Sequence, residues 1–343
     1  MRLRNISGSS ARENKKIAEE CSRWGQVAGH YFKYDKMAPR ILLFLCLTAG
    51  ISATLGQLKI QAVVNSASFQ PGMPRGGALA PIFVSGLTGT PRITVAPSLS
   101  LLPQELAGIT VTVNGATAPI LAVAIPSKGQ NGQINIQVPL ERNSTLQSDG
   151  SDNEGTLEVR QQSQADVLTP LTPPTWGGFL MDENGYAIAQ HASDYSLVTL
   201  QNPAHAGEII IAYADDFFTV WPPPPIGFAV PLRPLFQLSA PPPADYGLYL
   251  QDYPNPIVPI CGGCLFPSGS FTDTPAVQTS FQGLAPTLVG IEQINFVVPA
   301  GQAAGDWALF YNSGSCPDGS GYGCESGAAV IGASSPYVKL PVR

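Results

Sequence analysis

Short stretches in which apolar and polar residues alternate recur along the chain from residue 58 onward, separated by Gly, Pro and Asn. Residues 109–113 (ITVTV) and 133–138 (QINIQV) are clear examples. Strict alternation is the period of a strand with one buried face. No stretch after residue 57 keeps apolar residues at helical spacing for three turns. The pattern therefore predicts an all-β protein built from many short strands, as in a β-sandwich.

Turn signals predict how some of these strands connect. Asn114-Gly115 follows residues 109–113 directly, and both residues tolerate the positive φ that a tight hairpin needs. We therefore expect a hairpin there, with Pro119–Ile125 as the returning strand. Asn184-Gly185 predicts a second tight turn, and Leu79–Leu87 predicts a strand that ends in a turn.

An internal repeat predicts two copies of one supersecondary unit. Residues 132–139 (GQINIQVP) return as 292–299 (EQINFVVP), and the runs 115–121 and 283–288 precede the two copies. Alternate residues of each copy should face the core. We therefore expect equivalent core positions for Ile134, Ile136, Val138, Ile294, Phe296 and Val298. The stiff, Pro-rich residues 167–174 are the expected boundary between the copies.

Composition agrees with a strand-and-turn protein and disfavours one class of partner. Charged residues are 12% of the 343, about half the usual share, while Gly (35) and Pro (33) are abundant. Residues 57–343 hold nine Lys/Arg and twenty Asp/Glu, a net charge of −11. Phosphate backbones repel such a surface, so we expect no nucleic-acid partner.

The region before residue 57 resembles an export signal. Lys36 and Arg40 flank the start of a short apolar core at 41–49, and small residues follow at 52–54. We expect a signal peptide at 37–56 and translation from Met37, which makes residues 1–36 a non-native extension. A buried first element of a cytosolic fold is the alternative. The apolar run is short for a bilayer, so no membrane span is expected in the mature chain.

Four cysteines remain after the expected cleavage, and an exported chain favours disulfides. Cys316 and Cys324 bracket a Gly-rich loop whose ends a hairpin would bring together, so we predict this pair, with Cys261 and Cys264 as the other. A crossed pairing is the rival. The spacing is poor for a zinc site, and no metal or cofactor is predicted.

Several of these residues together resemble a known family. They are the opening motif 63–72 (VVNSASFQPG), the strand 82–87, the Asn114-Gly115 hairpin, the paired QIN motifs and residues 202–207 (NPAHAG). This set is similar to the Ig-like/IPT-like module family of exported acidobacterial proteins. The resemblance covers nearly all of 60–343. It implies secretion and tandem β-sandwich modules, and it implies no activity. Residues 213–218 (YADDFF) depart from the threonine- and glycine-rich turn that the family has there.

The predicted fold class is therefore all-β, with two tandem immunoglobulin-like/IPT-like β-sandwich domains at 57–168 and 169–343. The Pro-rich stretch 221–243 is interpreted as an extended crossover that covers a sheet edge, with a PxxP-type ligand as the alternative. Residues 149–154 are interpreted as a solvated hairpin tip, although they could bind calcium weakly.

Catalytic chemistry finds little support in the residues. His191 and His205 are the two histidines after residue 57, and no Gly-x-Ser-x-Gly elbow accompanies them. A glycosidase needs two carboxylates across a cleft, and neighbouring residues of a strand point to opposite faces. The candidate ligand-binding loop is acidic and aromatic, and it comprises Asp215, Asp216, Phe217, Phe218 and Trp221.

The function predicted is an exported, non-enzymatic surface or matrix module that binds protein or carbohydrate. A glycan-acting hydrolase using Asp215 or Asp216 is one alternative. A purely structural spacer is the other.

Overall fold

Antiparallel β-sheets make up the part of the chain that the computed structural model describes, which is residues 57–127, 130–141, 155–172, 177–218, 220–238, 247–252, 277–312 and 337–343. These residues contain no α-helix and only a short 3₁₀ segment at 140–141. The all-β prediction is confirmed. The expectations for the signal peptide, residues 149–154 and the four cysteines lie outside the described residues.

The first two sheets enclose one hydrophobic core. Their strands are β1 (Lys59–Val63), β2 (Leu79–Ser85), β3 (Arg92–Val95), β4 (Glu105–Leu106), β5 (Ile109–Val113), β6 (Ala116–Thr117), β7 (Ile120–Ile125), β8 (Gly132–Gln137), β9 (Leu157–Gln161) and β10 (Gln164–Leu168). One sheet has the order β1-β2-β8-β7-β3, and the other has the order β10-β9-β5-β4 with β6 paired to β5. Side chains from both sheets meet in a cluster that includes Ile82, Ile109, Ile134 and Val159, all fully buried.

Two further sheets enclose a second core. Their strands are β11 (Gly178–Phe179), β12 (Ala189–His191), β13 (Ile209–Asp215), β14 (Gly247–Asp252), β15 (Thr279–Leu284), β16 (Glu292–Val297), β17 (Gly305–Asn312) and β18 (Val338–Val342). One sheet has the order β11-β13-β16-β15 with β12 paired to β13, and the other has the order β14-β17-β18. Phe179, Phe296 and Leu340 are buried between them.

The predicted hairpin at Asn114-Gly115 forms, but its returning strand differs from the prediction. Both turn residues have positive φ, 50° and 81°, and they join β5 to β6. Pro119–Ile125 does not return along β5. Its strand β7 belongs to the other sheet of this core, between β8 and β3. The alternating pattern is the same for either sheet, so it does not predict which sheet the strand joins.

The second predicted turn is also present. Asp182 and Tyr186 are joined by a backbone hydrogen bond around it. Within the Asn184-Gly185 pair, the positive φ is at Gly185, at 78°. One left-handed residue is enough for this longer connection.

The two QIN motifs occupy central strands with matching register. β8 lies between β2 and β7, and β16 lies between β13 and β15. One neighbour of each motif strand carries a β-bulge opposite the motif: β7 has it between Ile120 and Ala122, and β15 has it between Thr279 and Phe281. All six predicted core residues have 0% exposure, so the predicted facing is confirmed: Ile134, Ile136, Val138, Ile294, Phe296 and Val298.

The segments before the two motifs align differently from the sequence comparison. Gln133 pairs with Ala124, whereas Gln293 pairs with Gly283. Gly283 therefore corresponds to Ala124 and not to Gly115, and the similarity of 115–121 to 283–288 does not mark equivalent positions. Short Gly/Ala/Pro runs of this kind occur in any turn-rich chain.

Residues 220–238, here called the strap, run between the two cores. Gly227 accepts a hydrogen bond from the amide of Leu102 (2.7 Å), and Val230 donates to Leu288 (2.9 Å). Farther along, Leu238 donates to Gln282 and Phe236 accepts from Leu284, which covers the outer edge of β15. The interpretation of the Pro-rich stretch as an edge-covering crossover is confirmed for this part. A search of the described residues for a long apolar helix that could cross a membrane finds none.

Candidate functional site

Asp215 ends β13 and lies where the second pair of sheets meets the first. Its side chain is fully buried. The hydroxyl of Ser66 lies 2.6 Å from Oδ2, the amide N–H of Leu79 donates to Oδ1 at 3.1 Å, and the side-chain amide of Asn65 lies 3.4 Å from Oδ2. All three partners belong to the first pair of sheets and its loops, so Asp215 joins two parts of the chain that are distant in sequence.

The loop that meets Asp215 is shaped by Asn65. Its side-chain oxygen accepts hydrogen bonds from the backbone N–H groups of Ala67 (2.9 Å) and Ser68 (2.8 Å), which is the local pairing that favours Asn in turns. Phe69 follows with a φ of 55° and donates its N–H to the backbone oxygen of Asn65. The opening motif VVNSASFQPG therefore builds a loop that presents Ser66 to Asp215.

Close backbone approach completes this junction. Gly178 lies against Ser68 so closely that a Cβ there would be 2.9 Å from the Ser68 nitrogen. A Cβ on Gly177 would be 2.5 Å or less from the carbonyl oxygens of Asp215 and Asp216. Glycine at both positions lets the start of the second pair of sheets pack directly on these backbones.

Asp216 pairs with Arg75, which comes from the loop before β2. The guanidinium Nε lies 3.2 Å from Oδ1 of Asp216, and Nη2 donates to the Asp216 carbonyl oxygen at 3.2 Å. The Asp216 side chain is only 6% exposed, whereas that of Arg75 is 47% exposed. Asp216 adopts a φ of 65°, a conformation that Asp tolerates better than most residues. Arg75 thus contacts both the side chain and the backbone of Asp216.

Glu292 opens β16 and holds the segment that follows Asp216. Its carboxylate accepts hydrogen bonds from the backbone N–H groups of Phe217 (2.9 Å) and Phe218 (3.1 Å). The residue is 3% exposed. Glu292 also pairs by strand register with Ala214, immediately before Asp215. The three carboxyl groups of Asp215, Asp216 and Glu292, with the guanidinium of Arg75, are here called the acidic cluster.

Burial and mutual repulsion shift the titration of this cluster. Burial, and then the charge of Asp216, raises the pKa of Asp215 to about 8, although hydrogen bonds from Ser66 and Leu79 act in the opposite direction. Burial, and then the charge of Asp215, raises the pKa of Glu292 well above its usual range. Asp216 raises the pKa of Arg75. Asp215 is therefore expected to carry a proton at neutral pH.

These contacts give the acidic cluster a structural role at the junction. Protein donors reach both oxygens of Asp215 and both oxygens of Glu292. Within the described part of the chain, no three His, Cys, Asp or Glu side chains are arranged to hold a metal ion. The buried carboxyl of Asp215 is not accessible to an external substrate in this conformation.

The predicted ligand-binding loop divides into an inward part and an outward part. Phe217 stacks on Tyr311 at a ring-centroid distance of 5.0 Å and meets Phe179 edge-on at 5.0 Å. Phe218 also packs against the second core. Trp221, by contrast, is 78% exposed. The structure therefore brings together Asp215, Asp216, Phe217 and Phe218 and directs Trp221 to solvent.

Sequence reasoning missed Arg75 and Glu292 as members of the cluster. Glu292 carried a usable signal, because it is a charged residue at the start of an otherwise buried strand where the first copy has Gly132. Its partners, Phe217 and Phe218, lie about 75 residues away, so their identity could not be deduced from spacing.

His191 is also tied into the structure. It lies at the end of β12 and is 4% exposed. Its Nδ1 contacts the carboxylate of Glu208, and its Nε2 lies 3.2 Å from the carbonyl oxygen of Asn202. Both ring nitrogens are therefore occupied by groups that position the 202–208 loop.

Large apolar side chains are also exposed on and beside the strap. Leu101 and Phe228 form an isolated antiparallel bridge and are 53% and 47% exposed. Leu232 is 68% exposed, and Leu235 is 50% exposed. Arg233 is the one charged residue in 220–238. We call Leu101, Phe228, Leu232, Leu235 and Trp221 the strap residues; Leu101 lies beside the strap and the other four lie on it.

Comparisons with known proteins show no family for this chain. No family model matches it, and no curated protein matches it. Among solved structures, the chain is similar to SGBP-B of the Bacteroides ovatus mixed-linkage glucan utilization locus, solved in complex with a mixed-linkage heptasaccharide. The identity is 10% and the TM-score is 0.27, over 86% of this chain and 67% of that chain.

Proposed function

We propose that the protein is an exported, non-enzymatic binding module that uses the strap residues to contact another extracellular protein. The observation that carries the proposal is the exposure of Leu232 (68%), Leu235 (50%) and Trp221 (78%) on a segment tied by hydrogen bonds to both cores. Large exposed apolar groups on an ordered segment are a feature of protein-binding sites. Export from a signal peptide at 37–56 is part of the same proposal.

The organisation we infer is two tandem Ig-like/IPT-like sandwiches, at 57–168 and 169–343. Two separate cores, each enclosed by a pair of antiparallel sheets, support this division. The matching register of β8 and β16 supports duplication of a common unit. Asp215 and the strap then hold the two sandwiches together, which would keep the strap residues in a fixed arrangement for a partner.

A protein partner fits the strap better than carbohydrate does. Leu101, Leu232 and Leu235 are aliphatic and offer no ring for a sugar to stack on. The strap also has few polar side chains with which to hydrogen-bond hydroxyl groups. Trp221 and Phe228 have rings and would suit either partner. The experiment must therefore distinguish a protein partner from a carbohydrate partner.

The hydrolase alternative has less support. A glycosidase requires a pair of carboxyl groups that face each other across the scissile bond. Asp215 is fully buried and bonded to Ser66 and Leu79, and Asp216 is bonded to Arg75. Their present arrangement favours a structural role. The spacer alternative does not account for the exposed strap residues.

The test compares binding by the wild-type chain, a Leu232→Asp/Leu235→Asp variant and a Leu200→Asp control. Leu200 is 59% exposed and lies in a turn away from the strap sequence, so the control adds a charge to a comparable surface position. Each purified protein is screened against an array of extracellular proteins and a glycan array, with polysaccharide hydrolysis assayed in parallel.

We expect a specific protein partner whose affinity falls at least about ten-fold in the double variant and is unchanged in the control. Binding to glycans alone, or equal binding by all three proteins, would contradict the proposal. Release of sugar by the wild-type chain that is lost in Asp215→Asn would favour the hydrolase instead.

A further inference from the structure

The acidic cluster is placed where it can control the contact between the two pairs of sheets. Ser66 and Leu79 contact the cluster from the first pair of sheets. Arg75 contacts it from the loop that lies between these two residues in the chain. Asp215 and Glu292 reach it from neighbouring strands of the second pair. The charge state of the cluster therefore acts directly on bonds that cross the junction.

The neighbours of Asp215 make an added negative charge unfavourable there. Asp216 follows it in sequence, and Glu292 faces it from β16. Arg75 is the cation of the cluster, and its guanidinium is hydrogen-bonded to Asp216. Ser66 and Asn65 are neutral. Buried like charges repel strongly because water does not screen them, and a buried charge also loses its hydration.

We propose that the acidic cluster is a pH-sensitive latch between the two pairs of sheets, closed while Asp215 is protonated and loosened when it ionises. In the closed state, Oδ2 of Asp215 accepts a hydrogen bond from the Ser66 hydroxyl, and Oδ1 accepts the Leu79 N–H. After ionisation, separation of the Ser66 loop from Asp215 lets water reach the carboxylate. The latch concerns how the two halves are held and does not depend on what the strap binds.

The change is expected in weakly alkaline solution, because the pKa of Asp215 is raised to about 8 by burial and by Asp216. Burial, and then the charge of Asp215, also raises the pKa of Glu292 well above its usual range. Below this pH range, the Asp215 side chain is uncharged and the latch stays closed.

Hydrogen exchange of the full chain between pH 6.5 and 9 tests the latch, with rates corrected for the intrinsic dependence of exchange on pH. The proteins are wild type, Asp215→Asn and the control Asp306→Asn. An amide at position 215 keeps one acceptor oxygen for these donors and cannot ionise. Asp306 lies on β17 and accepts a hydrogen bond from the Tyr186 hydroxyl at 2.8 Å. Asp306→Asn therefore makes the same chemical change at a different hydrogen-bonded aspartate.

In wild type and the control, we expect protection of peptides covering 64–72 and 209–216 to fall at least about ten-fold across this range. Peptides from β5 and β9 should not change. In Asp215→Asn, the fall at the junction should be absent. The same pH profile in wild type and Asp215→Asn, or an equal fall over all strands, would overturn the latch.

Infrared spectroscopy of the wild-type chain provides a second measurement that does not require the variant to fold. A protonated carboxyl gives a C=O band distinct from that of a carboxylate. We expect this band at pH 6.5 and a decrease in its intensity by pH 9, because Asp215 ionises in this range. Its absence at pH 6.5 would show that the cluster is ionised at neutral pH and would also overturn the latch.

Discussion

The hydroxyl of Ser66 lies 2.6 Å from a carboxyl oxygen of Asp215, although 149 residues separate them in the chain. Ser66 belongs to the opening motif of the first half, and Asp215 ends a central strand of the second. The same carboxyl accepts the backbone N–H of Leu79. This contact between the halves thus uses residues that the sequence suggested for a family motif and for a ligand-binding loop.

Removing the Ser66 hydroxyl should destabilise the junction. Ser66→Ala leaves the buried Asp215 with one fewer partner, and we expect the free energy of unfolding to fall by about 1–3 kcal/mol. Denaturant unfolding measures the change. The control is Ser98→Ala, since Ser98 makes an exposed hydrogen bond to the amide of Ser100 and should change stability by less than about 0.5 kcal/mol. Equal effects of the two substitutions would contradict the junction role of Ser66.

Glu292 should matter through the two backbone N–H groups that it accepts. Glu292→Ala leaves the amides of Phe217 and Phe218 buried without this acceptor, at a cost of roughly 2–5 kcal/mol. Glu292→Gln keeps one acceptor oxygen and should cost about half as much. The ranking is measured by chemical denaturation at pH 6. A glutamine variant less stable than the alanine variant would be inconsistent with this explanation.

A methyl group at Gly178 should force the junction apart. The added Cβ would lie 2.9–3.0 Å from backbone and side-chain atoms of Ser68, where no flexible group can move away easily. We expect Gly178→Ala to lower the free energy of unfolding by about 1–3 kcal/mol. Gly207→Ala is a control with open space but a φ of 80°, and it should cost about 1 kcal/mol through backbone strain alone. Thermal melts that rank Gly207→Ala as the more damaging would refute the close packing at Gly178.

Stability should decrease as the pH rises from about 4 to 8. Across this window the folded chain retains the proton on Asp215, whose pKa is raised to about 8, whereas the unfolded chain has lost it at its ordinary pKa of 3.8. The stabilisation is complete below about pH 4, decreases through the window and levels off above about pH 8. We expect Tm to be higher at pH 5 than at pH 8.5 by on the order of 5 °C. Asp215→Asn should flatten this dependence, and a wild-type Tm that rises toward pH 8.5 would contradict the assignment.

The disulfide predictions concern residues outside the described part of the chain. Four cysteines allow three pairings, of which we expect Cys316 with Cys324 and Cys261 with Cys264. Closure of the short Cys316–Cys324 loop should stabilise by roughly 2–3 kcal/mol. Peptide mapping of the secreted protein without reduction measures the pairing. A peptide that links the first pair of cysteines to the second would exclude it, and stoichiometric zinc would replace the disulfides altogether.

The sequence by itself determined the strand content and which faces of the motif strands are buried. Alternation has a period of two, so a run such as QINIQV specifies its inward residues before its partners are known. The Asn114-Gly115 turn could also be predicted from neighbouring residues, because positive φ at two successive positions restricts which side chains can occupy them. These properties depend on residues within a few positions of one another.

Only the tertiary structure decided which sheet each strand joins and what the acidic loop does. Strand β7 carries the same alternation whether it returns to β5 or crosses to β8, and the choice is made by the packing of the whole core. Asp215 and Asp216 have the composition of a binding loop. Their contacts with Ser66, Leu79 and Arg75 form across 136 to 149 residues, because the two halves pack together. Burial at that contact, which no local pattern encodes, is also what raises the pKa of Asp215.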